Sequence, residues 1–283
     1  MGCILKAIIL SLLFFISINA QSLLLFDEYS VKNSELSTYN NSLTTKLTDA
    51  QLIRLDNSIT MLKDSLSTTD LSTKFDALWI FANQTEEAAL KNIIKRSHDG
   101  TNNHSTVWVQ YQGFTGDAAN DYIDLNFNPL TQGIRHLQNS ASMGIYSRTN
   151  KQSAGFDFGQ STQHRIILRN ASDQFASRVN TATSLAVSSF TDSRGMFVVS
   201  RTASNLTTAY RNGASIGTSS AASATMLSFN FFICATNLSD VAGNFTDRQY
   251  SVAFVGLGFT ATEVRKITNC IEVYMDALGT GVI

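Results

Sequence analysis

The middle of the chain, from residue 107 to about residue 257, is built of short runs rich in β-branched and aromatic residues, which Gly, Asn, Asp and Ser separate. No helical period falls between the runs, and they recur at spacings of about 10 to 20 residues, a pattern typical of antiparallel sheets packed face to face. The sequence therefore predicts a mainly β sandwich. The predicted strands are 107–111, 122–127, 141–146, 165–169, 175–179, 196–201, 207–211, 226–235 and 249–255.

The dipeptide Asn212-Gly213 is the strongest turn signal in this region. It lies between the runs 209–211 and 214–216, and a type I′ turn requires positive φ at both of its central positions. Asn and Gly are the residues that accept this conformation most readily. We therefore expect a two-residue hairpin that fixes the register of its two strands.

Helices are predicted on both sides of the strand region. Thr48 and Gln51 have the spacing of a capping box, and apolar residues follow at intervals of three and four. Residues 48–100 are accordingly predicted as a helical segment, with a second helix within 86–94. Thr260 and Glu263 repeat the capping-box spacing before a C-terminal amphipathic helix, which should end near Gly279.

The first 20 residues have the order of a secretory signal peptide: Lys6, an apolar run over 7–18, and the small residue Ala20. The apolar run is shorter than the ~20 residues that a membrane-spanning helix needs. We expect a secreted, extracellular or periplasmic protein with no membrane span after signal cleavage. Residues 21–47 are predicted as a strand-like segment, 23–26, on a polar linker. Residues 101–283 then form the main domain with its C-terminal helix.

Charge argues against nucleic acid as a partner. Loss of Lys6 leaves 20 of the 21 basic residues against 22 acidic ones, a formal charge of −2, and the cations are scattered singly along the chain. Two cysteines, Cys234 and Cys270, remain after signal cleavage. An oxidising compartment would allow them to form a disulfide, and the alternative is two buried thiols that behave as small apolar residues.

Seven sequons would accept N-glycans if the host glycosylates them. They begin at Asn40, Asn83, Asn103, Asn170, Asn205, Asn237 and Asn244.

Several motifs together resemble the concanavalin A-like lectin and glucanase superfamily, the laminin G-like jelly rolls. The likeness is to a variant found in phage tail or virion-associated proteins and in secreted bacterial proteins. It covers most of the chain from about Thr48. The matching segments are Gly-Phe-Thr-Gly-Asp at 113–117, Asp-Tyr-Ile-Asp at 121–124, Phe-Asn-Pro at 127–129, residues 139–150, the hairpin at 210–213, the start of the last helix at 258–260 and the leader 73–78. The resemblance implies an antiparallel jelly-roll β-sandwich with an N-terminal helical segment and a C-terminal helix.

Candidate binding residues lie at turns and strand ends. Asp117, Asp121 and Asp124 form the one acidic cluster; they either cap turns or, for Asp117 and Asp121, contribute to a calcium site. Arg148 and Asn150 follow a predicted strand, where they either hydrogen-bond a sugar or hold a loop. Trp108 lies on a strand, where an indole either stacks on a sugar ring or is buried in the sandwich. These remain alternatives at the level of sequence.

No catalytic signature accompanies these residues. Glycosidases of related folds use paired carboxylates on one strand, yet the chain has no Glu between 107 and 257. His98, His104, His136 and His164 lack the spacing of a zinc motif. No cofactor other than calcium is indicated.

The first functional hypothesis is therefore a non-catalytic recognition module for a glycan or cell-surface polymer. The second is a structural subunit of an extracellular or virion-like assembly, in which segment 23–26 adds to a sheet edge of a neighbouring copy. The third is an enzyme that acts on polysaccharide.

Overall fold

Two antiparallel sheets stack face to face in the computed structural model, which describes residues 29–95, 97–160 and 162–283. The predicted signal peptide and the strand-like segment 23–26 lie outside these residues. The helices are α1 (Ser34–Asn41), α2 (Asp49–Leu66), α3 (Glu86–Leu90), α4 (Pro129–Gln132) and α5 (Ala261–Ala277). The β-sandwich with helices at both ends of the chain confirms the predicted fold class.

The first sheet has eight strands within the described residues, in the order β13-β12-β11-β6-β17-β4-β3, and β1 also pairs with β17. Its strands are β1 (Phe75–Ile80), β3 (Val107–Val109), β4 (Gly113–Thr115), β6 (Ala141–Ser147), β11 (Gly195–Ala203), β12 (Leu206–Arg211), β13 (Ala214–Ser219) and β17 (Gln249–Gly256).

The second sheet runs β10-β9-β8-β7-β14-β5-β2 over the same described part of the chain. The short strand β15 pairs in parallel with β7 and antiparallel with β16. Its strands are β2 (Thr101–Asn103), β5 (Tyr122–Asp124), β7 (Phe158–Gln160), β8 (His164–Ile167), β9 (Phe175–Arg178), β10 (Leu185–Val187), β14 (Phe232–Ile233), β15 (Thr236–Asn237) and β16 (Ala242–Gly243).

The first sheet is buried on both faces, which gives the molecule two apolar cores. Successive side chains of a strand point to opposite faces, so on β1 Ala77 and Trp79 join the core between the sheets, whereas Leu78 and Ile80 join a second core beneath the helices. Helices α2 and α5 close this second core. The helices thus form a third layer on the outer face of the first sheet.

The predicted start of the last helix and the predicted hairpin turn are both confirmed. Thr260 and Glu263 form the predicted capping box at the start of α5. Asn212 and Gly213 have φ values of 51° and 77°, as a type I′ turn requires, and join β12 to β13. At α2 only half of the predicted box forms. Thr48 accepts a hydrogen bond from the Gln51 amide, but the Gln51 side chain donates to the Tyr274 hydroxyl on α5 instead.

Two predictions about the N-terminal third are wrong. Residues 34–41, predicted as part of a polar linker, form α1, because Leu36 and Tyr39 are buried in the core beneath the helices. The segment 48–100 is not wholly helical, since Phe75–Ile80 is strand β1. Its side chains are apolar on both faces because both faces are covered, so the period-2 alternation that marks a half-exposed strand is missing.

Of the two alternatives for Cys234 and Cys270, the structure has the pair of buried thiols, both of them free. Cys234 belongs to the core between the sheets, and Cys270 belongs to the core between α5 and the first sheet. The first sheet therefore separates the two sulfur atoms. Burial raises the pKa of both thiols.

The described helices include none that is both long enough and apolar enough to cross a bilayer.

Candidate functional site

The outer face of the second sheet is the sheet surface that the helical layer leaves open. Helices α1, α2 and α5 pack on the opposite side of the molecule, against the first sheet. The helices do not cover the side chains that leave the second sheet outward, and those among them that are partly exposed are available to a ligand. Successive side chains of a strand point to opposite faces, so the residues that point into the core identify the outward ones. We call this alternation the parity of the strand.

Parity places two arginines on this face. Phe158 and Ile166 point into the core between the sheets, so their strand neighbours Gly159 and Arg165 point outward. On β9, Ser177 lies opposite the inward Ile166. Arg178 is therefore outward as well, directly opposite Arg165.

The same parity extends across the sheet. Ile233 and Ile123 point inward as partners, so Phe232 and Asp124 are outward partners in register. Pairing between neighbouring strands then makes a single row of outward positions. From β9 to β5, these positions are Arg178, Arg165, Gly159, Phe232 and Asp124, and Thr101 on β2 lies beside Asp124 beyond them. We call this set the cross-strand row.

The row is long enough for an extended ligand. Neighbouring strands lie about 4.8 Å apart, so the three steps from Arg165 to Asp124 span about 14 Å. The five positions come from five different strands, and the row crosses them at right angles.

A pair of arginines forms the cationic end. The guanidinium carbon of Arg165 lies 4.9 Å from the ring centroid of Phe156, a cation–π distance. Ser184 Oγ accepts hydrogen bonds from Arg165 Nη2 at 3.0 Å and from Arg178 Nε at 2.9 Å. Partial burial, together with the charge of Arg178, lowers the pKa of Arg165 to about 10. The two guanidinium groups thus lie close together, because both donate to the same serine oxygen.

The centre of the row is apolar and buried. Gly159 has a φ of +118°, and a Cβ at this position would lie 2.3 Å from the carbonyl oxygen of His164, so only glycine fits there. Phe232 follows, and its ring lies 4.7 Å from that of Tyr122, which is partly exposed. Phe232 is nevertheless only 4% exposed and Gly159 is buried, so Tyr122 provides the accessible aromatic ring at this part of the row.

The far end of the row is acidic. The Asp124 carboxylate accepts hydrogen bonds from the Asn126 amide at 2.7 Å and from Asn230 Nδ2 at 3.2 Å. Burial raises the pKa of Asp124, and the charge of Asp240 raises it further. The row therefore has a cationic pair at one end and a carboxylate at the other, and the partly exposed ring of Tyr122 lies beside the carboxylate. Cations bind acids, carboxylates bind hydroxyls and aromatic rings bind sugar faces.

Asp124 is the one predicted site residue that the structure places in the row. Asp117 instead caps its own turn, where one carboxylate oxygen accepts from the amides of Ala119, Asn120 and Asp121. Hydrogen bonds from these amides, that of Asp121 foremost, lower the pKa of Asp117, whereas burial raises that of Asp121.

Calcium binding at this turn stays a prediction, and Oδ1 of Asp117 is occupied by three backbone N–H groups. Across residues 29–95, 97–160 and 162–283, no three His, Cys, Asp or Glu side chains converge as metal ligands would.

The other predicted residues hold loops or face inward. Arg148 donates to the side chains of Gln112 and Gln249, and the Asn150 side chain accepts from Arg169. Trp108 packs against the core between the sheets, and its Nε1 donates to the Phe81 carbonyl oxygen at 3.0 Å. None of these three residues belongs to the cross-strand row.

Burial removes two of the seven predicted glycosylation sites. Asn83 and Asn237 are 0% and 1% exposed, and their side-chain amides donate to the Tyr39 hydroxyl and the Asn230 carbonyl oxygen. A glycan on either nitrogen would break these bonds and has no room. Asn205 and Asn244 are exposed, and Asn40, Asn103 and Asn170 are partly exposed.

Sequence reasoning missed Arg165, Arg178 and Phe232. A signal was present, because each lies next to a buried apolar residue within a predicted strand, so alternation places it on an outward face. Alternation does not show, however, that the three outward positions share one row. That fact depends on strand register between segments far apart in sequence.

No family model and no curated protein matches this chain. Solved structures give weak likenesses. Trypanosoma rangeli sialidase in complex with 2,3-difluorosialic acid has 9% identity and a TM-score of 0.49 over 77% of this chain and 38% of that one. The botulinum neurotoxin serotype D binding domain has 12% identity and a TM-score of 0.47 over 69% and 52%. Domain 4 of an extracellular arabinanase from Geobacillus stearothermophilus, in complex with arabinotriose, has 14% identity and a TM-score of 0.42 over 69% and 98%.

The chain thus spans less than two thirds of the first two of these proteins. At these identities the likenesses do not identify a family.

Proposed function

We propose that this protein is a secreted, non-catalytic recognition module that binds a glycan or cell-surface polymer on the outer face of its second sheet. In this proposal it is a divergent member of the concanavalin A-like superfamily. Secretion is proposed from the signal-like order of residues 1–20. The site is proposed from the structure alone.

The observation that supports binding is the cross-strand row. Sugars present apolar ring faces and a rim of hydroxyl groups, so their sites combine aromatic side chains with a few fixed polar groups. The partly exposed ring of Tyr122, which packs on the buried Phe232, supplies the aromatic surface, and Asp124, Asn230 and Arg165 supply polar groups on either side of it. Each polar group is held by a hydrogen bond or a ring contact, which lowers the entropic cost of binding.

A glycan array and pull-down with insoluble polysaccharides test the proposal. The protein used is the mature chain, residues 21–283, carrying a C-terminal tag. We expect binding above background to at least one class of glycan. Uniform silence across neutral and acidic sugars would contradict the proposal.

Hydrolysis is a second candidate, favoured by one observation. Burial raises the pKa of Asp124, and the charge of Asp240 raises it further. A general acid needs a raised pKa of this kind. Reducing-sugar release from soluble polysaccharides decides between the two functions. The recognition proposal predicts no release, whereas release that Asp124→Asn abolishes would establish a glycosidase.

Self-assembly is a third candidate. Leu130 on α4 is 45% exposed, and Ile134 and Leu137 in the loop that follows are 57% and 49% exposed. The buried Asp76 carboxylate holds this loop by accepting from the amides of Ile134 and its two successors. Exposed aliphatic residues on a fixed loop suit contact with a second copy of the chain. Light scattering of the wild type and of Ile134→Ser tests this candidate, since assembly through the loop predicts a dimer that the variant loses.

A further inference from the structure

We infer that His136 and His164 form an acid-sensitive switch for the loop 133–140, which joins α4 to β6. At neutral pH the two rings hold this loop on one end of the core between the sheets. In acid they take up protons and the loop opens, while the strands of both sheets stay paired. This inference is independent of the proposed glycan binding.

The two histidines are both connected to the loop. His136 is one of its residues, and its buried ring lies 5.2 Å from that of His164, centroid to centroid. His164, on β8, donates through Nε2 to Asn180 Oδ1. The Nδ2 of Asn180 in turn donates to two carbonyl oxygens of the loop, both at 2.9 Å. A change in the charge of either ring therefore acts on the same segment.

The hydrogen bonds at the rings fit the neutral form of each histidine. Nδ1 of His136 donates to the carbonyl oxygen of Ser142 at 3.3 Å, and the buried Nε2 has no partner among the described residues. Nδ1 of His164 accepts from Nε2 of Gln160 at 3.2 Å, and the same amide donates to the Leu227 carbonyl oxygen, which fixes its orientation. A charged imidazole donates from both nitrogens. The extra proton would therefore lack an acceptor on either ring while the loop is closed.

The charges around the two rings favour the neutral form as well, apart from one carboxylate. Burial lowers the pKa of both rings, that of His136 to about 4, and the charge of Asp76 on β1 opposes this only in part. The charges of His136 and Arg201 lower the pKa of His164 further. Arg201, on β11, is itself fully buried and donates to backbone carbonyl oxygens. Protonation in the closed state would thus place new cations beside a buried one.

The aromatic rings that pack against the histidines are uncharged. Those of Phe127 and Phe231 lie 6.4 and 5.8 Å from the ring of His136, and Phe231 also lies 5.1 Å from His164. His98 packs against Phe127, 5.3 Å ring to ring. A charged group in such surroundings is costly unless water reaches it. Protonation therefore favours a state in which this end of the core is open.

The loop can open without separating the sheets. It lies between β5 and β6 and contributes no strand to either sheet. Its other contacts include three amides that donate to Asp76 and the Nε of Arg135, which donates to the Ser72 carbonyl oxygen at 2.8 Å. Ile134 and Leu137 are already 57% and 49% exposed. Opening breaks contacts of this kind and no strand pairing.

The difference in proton affinity sets the size of the response. A histidine in an open loop has the ordinary pKa of about 6.5, whereas that of His136 in the closed loop is about 4. At about pH 5 this difference alone favours the open state about 30-fold relative to neutral pH. Protonation of His164 acts in the same direction.

Amide hydrogen exchange of the mature chain, residues 21–283, tests the switch by mass spectrometry at about pH 5 and about pH 7.5. After correction for the intrinsic exchange rate, we expect the protection of loop peptides to be about 30-fold lower at the acidic pH. Peptides from β6 and β11 in the first sheet should keep their protection. Loop and strands are compared within one sample, so this measurement needs no variant.

Variants assign the effect to the rings. His136→Phe keeps an aromatic ring in the site and removes the group that takes up the proton, so the pH dependence of loop exchange should fall well below that of the wild type. His164→Gln should reduce it as well. His104→Gln is the matched control, because His104 is exposed and lies outside the loop. It should keep the wild-type response.

Three results would overturn the inference. The first is equal loop protection at the two pH values. The second is a loss of protection in β6 and β11 as large as that in the loop, because it would show unfolding of the whole sandwich. The third is a wild-type response in both His136→Phe and His164→Gln, which would show that other groups take up the protons.

Discussion

Arg165 on β8 lies directly opposite Arg178 on β9, so two guanidinium groups leave the uncovered face of the second sheet side by side. Like charges in this position cost stability. Each arginine is nevertheless fixed by a hydrogen bond to Ser184 Oγ. We interpret this pair as the cationic end of the cross-strand row, whose other end is the carboxylate of Asp124.

Aromatic stacking on the row should carry part of the affinity. Tyr122→Ala removes the partly exposed ring beside Phe232 and should weaken glycan binding about tenfold, since a sugar face loses its platform. Trp108→Phe is the control. Its indole faces inward and donates to Phe81, so the change should lower the free energy of unfolding by about 1 kcal/mol and leave binding unchanged. Titration calorimetry with a glycan found on the array measures both, and an equal loss in the two variants would contradict the site.

Two buried histidines should make the fold sensitive to acid. The rings of His136 and His164 lie 5.2 Å apart in the core. Burial lowers the pKa of His136 to about 4, against the opposing charge of Asp76. Burial and the charge of His136 lower the pKa of His164, to which Arg201 adds a smaller repulsion.

The unfolded chain takes up these protons first, near its ordinary pKa of about 6.5, so stability is complete above that pH and falls as the pH drops toward 4. His136 alone should cost about 2 kcal/mol at about pH 5. Urea unfolding at neutral and at acidic pH measures the loss. His136→Phe should reduce the pH dependence, whereas the exposed-site change His104→Gln should not; a wild-type midpoint that stays constant between the two pH values would refute the prediction.

A buried ion pair ties the loop before β7 to β17. Asp157 and Arg248 are both fully buried, with Nη1 of Arg248 2.6 Å from the carboxylate, which also accepts from the Tyr250 hydroxyl. Asp157→Ala leaves the guanidinium buried without its counter-charge and should cost about 3 to 5 kcal/mol. Asp192→Ala, which breaks partly exposed pairs, should cost less than about 1 kcal/mol. Urea unfolding that shows similar losses for the two would argue against the network.

The thiol state of the mature chain is a direct check on the layer arrangement. Because the first sheet separates Cys234 from Cys270, both should be reduced. We expect no reaction with a thiol reagent in native buffer and two equivalents in guanidinium chloride. Intact mass after alkylation without reductant gives the same count. A recovered Cys234–Cys270 disulfide would show that the two cores are not arranged as described.

The elements that the sequence predicts well are those whose signals are local. Asn212-Gly213 and the pair Thr260 and Glu263 specify a turn and a cap within four residues, and both form. Strand β1 lacks the alternation that predicts a strand, because segments distant in sequence bury both of its faces. Helix α1 was missed because only Leu36 and Tyr39 anchor an otherwise polar segment.

The site was harder to predict for a related reason. Asp124 and Phe232 are 108 positions apart in the sequence, yet they are partners in register. Parity within each strand could assign Arg165 and Arg178 to an outward face. Only the order of strands in the second sheet brings these residues into one row, and no local pattern encodes that order.

Chemical-shift mapping on the isotope-labelled mature chain tests the central claim most directly, with a saccharide that binds on the array as the titrant. Binding on this face predicts that the largest amide shifts cluster at Arg165, Tyr122 and Asp124 on the second sheet. Shifts that cluster instead at the edge strand of Trp108, or at the loops of Arg148 and Asp117, would contradict it.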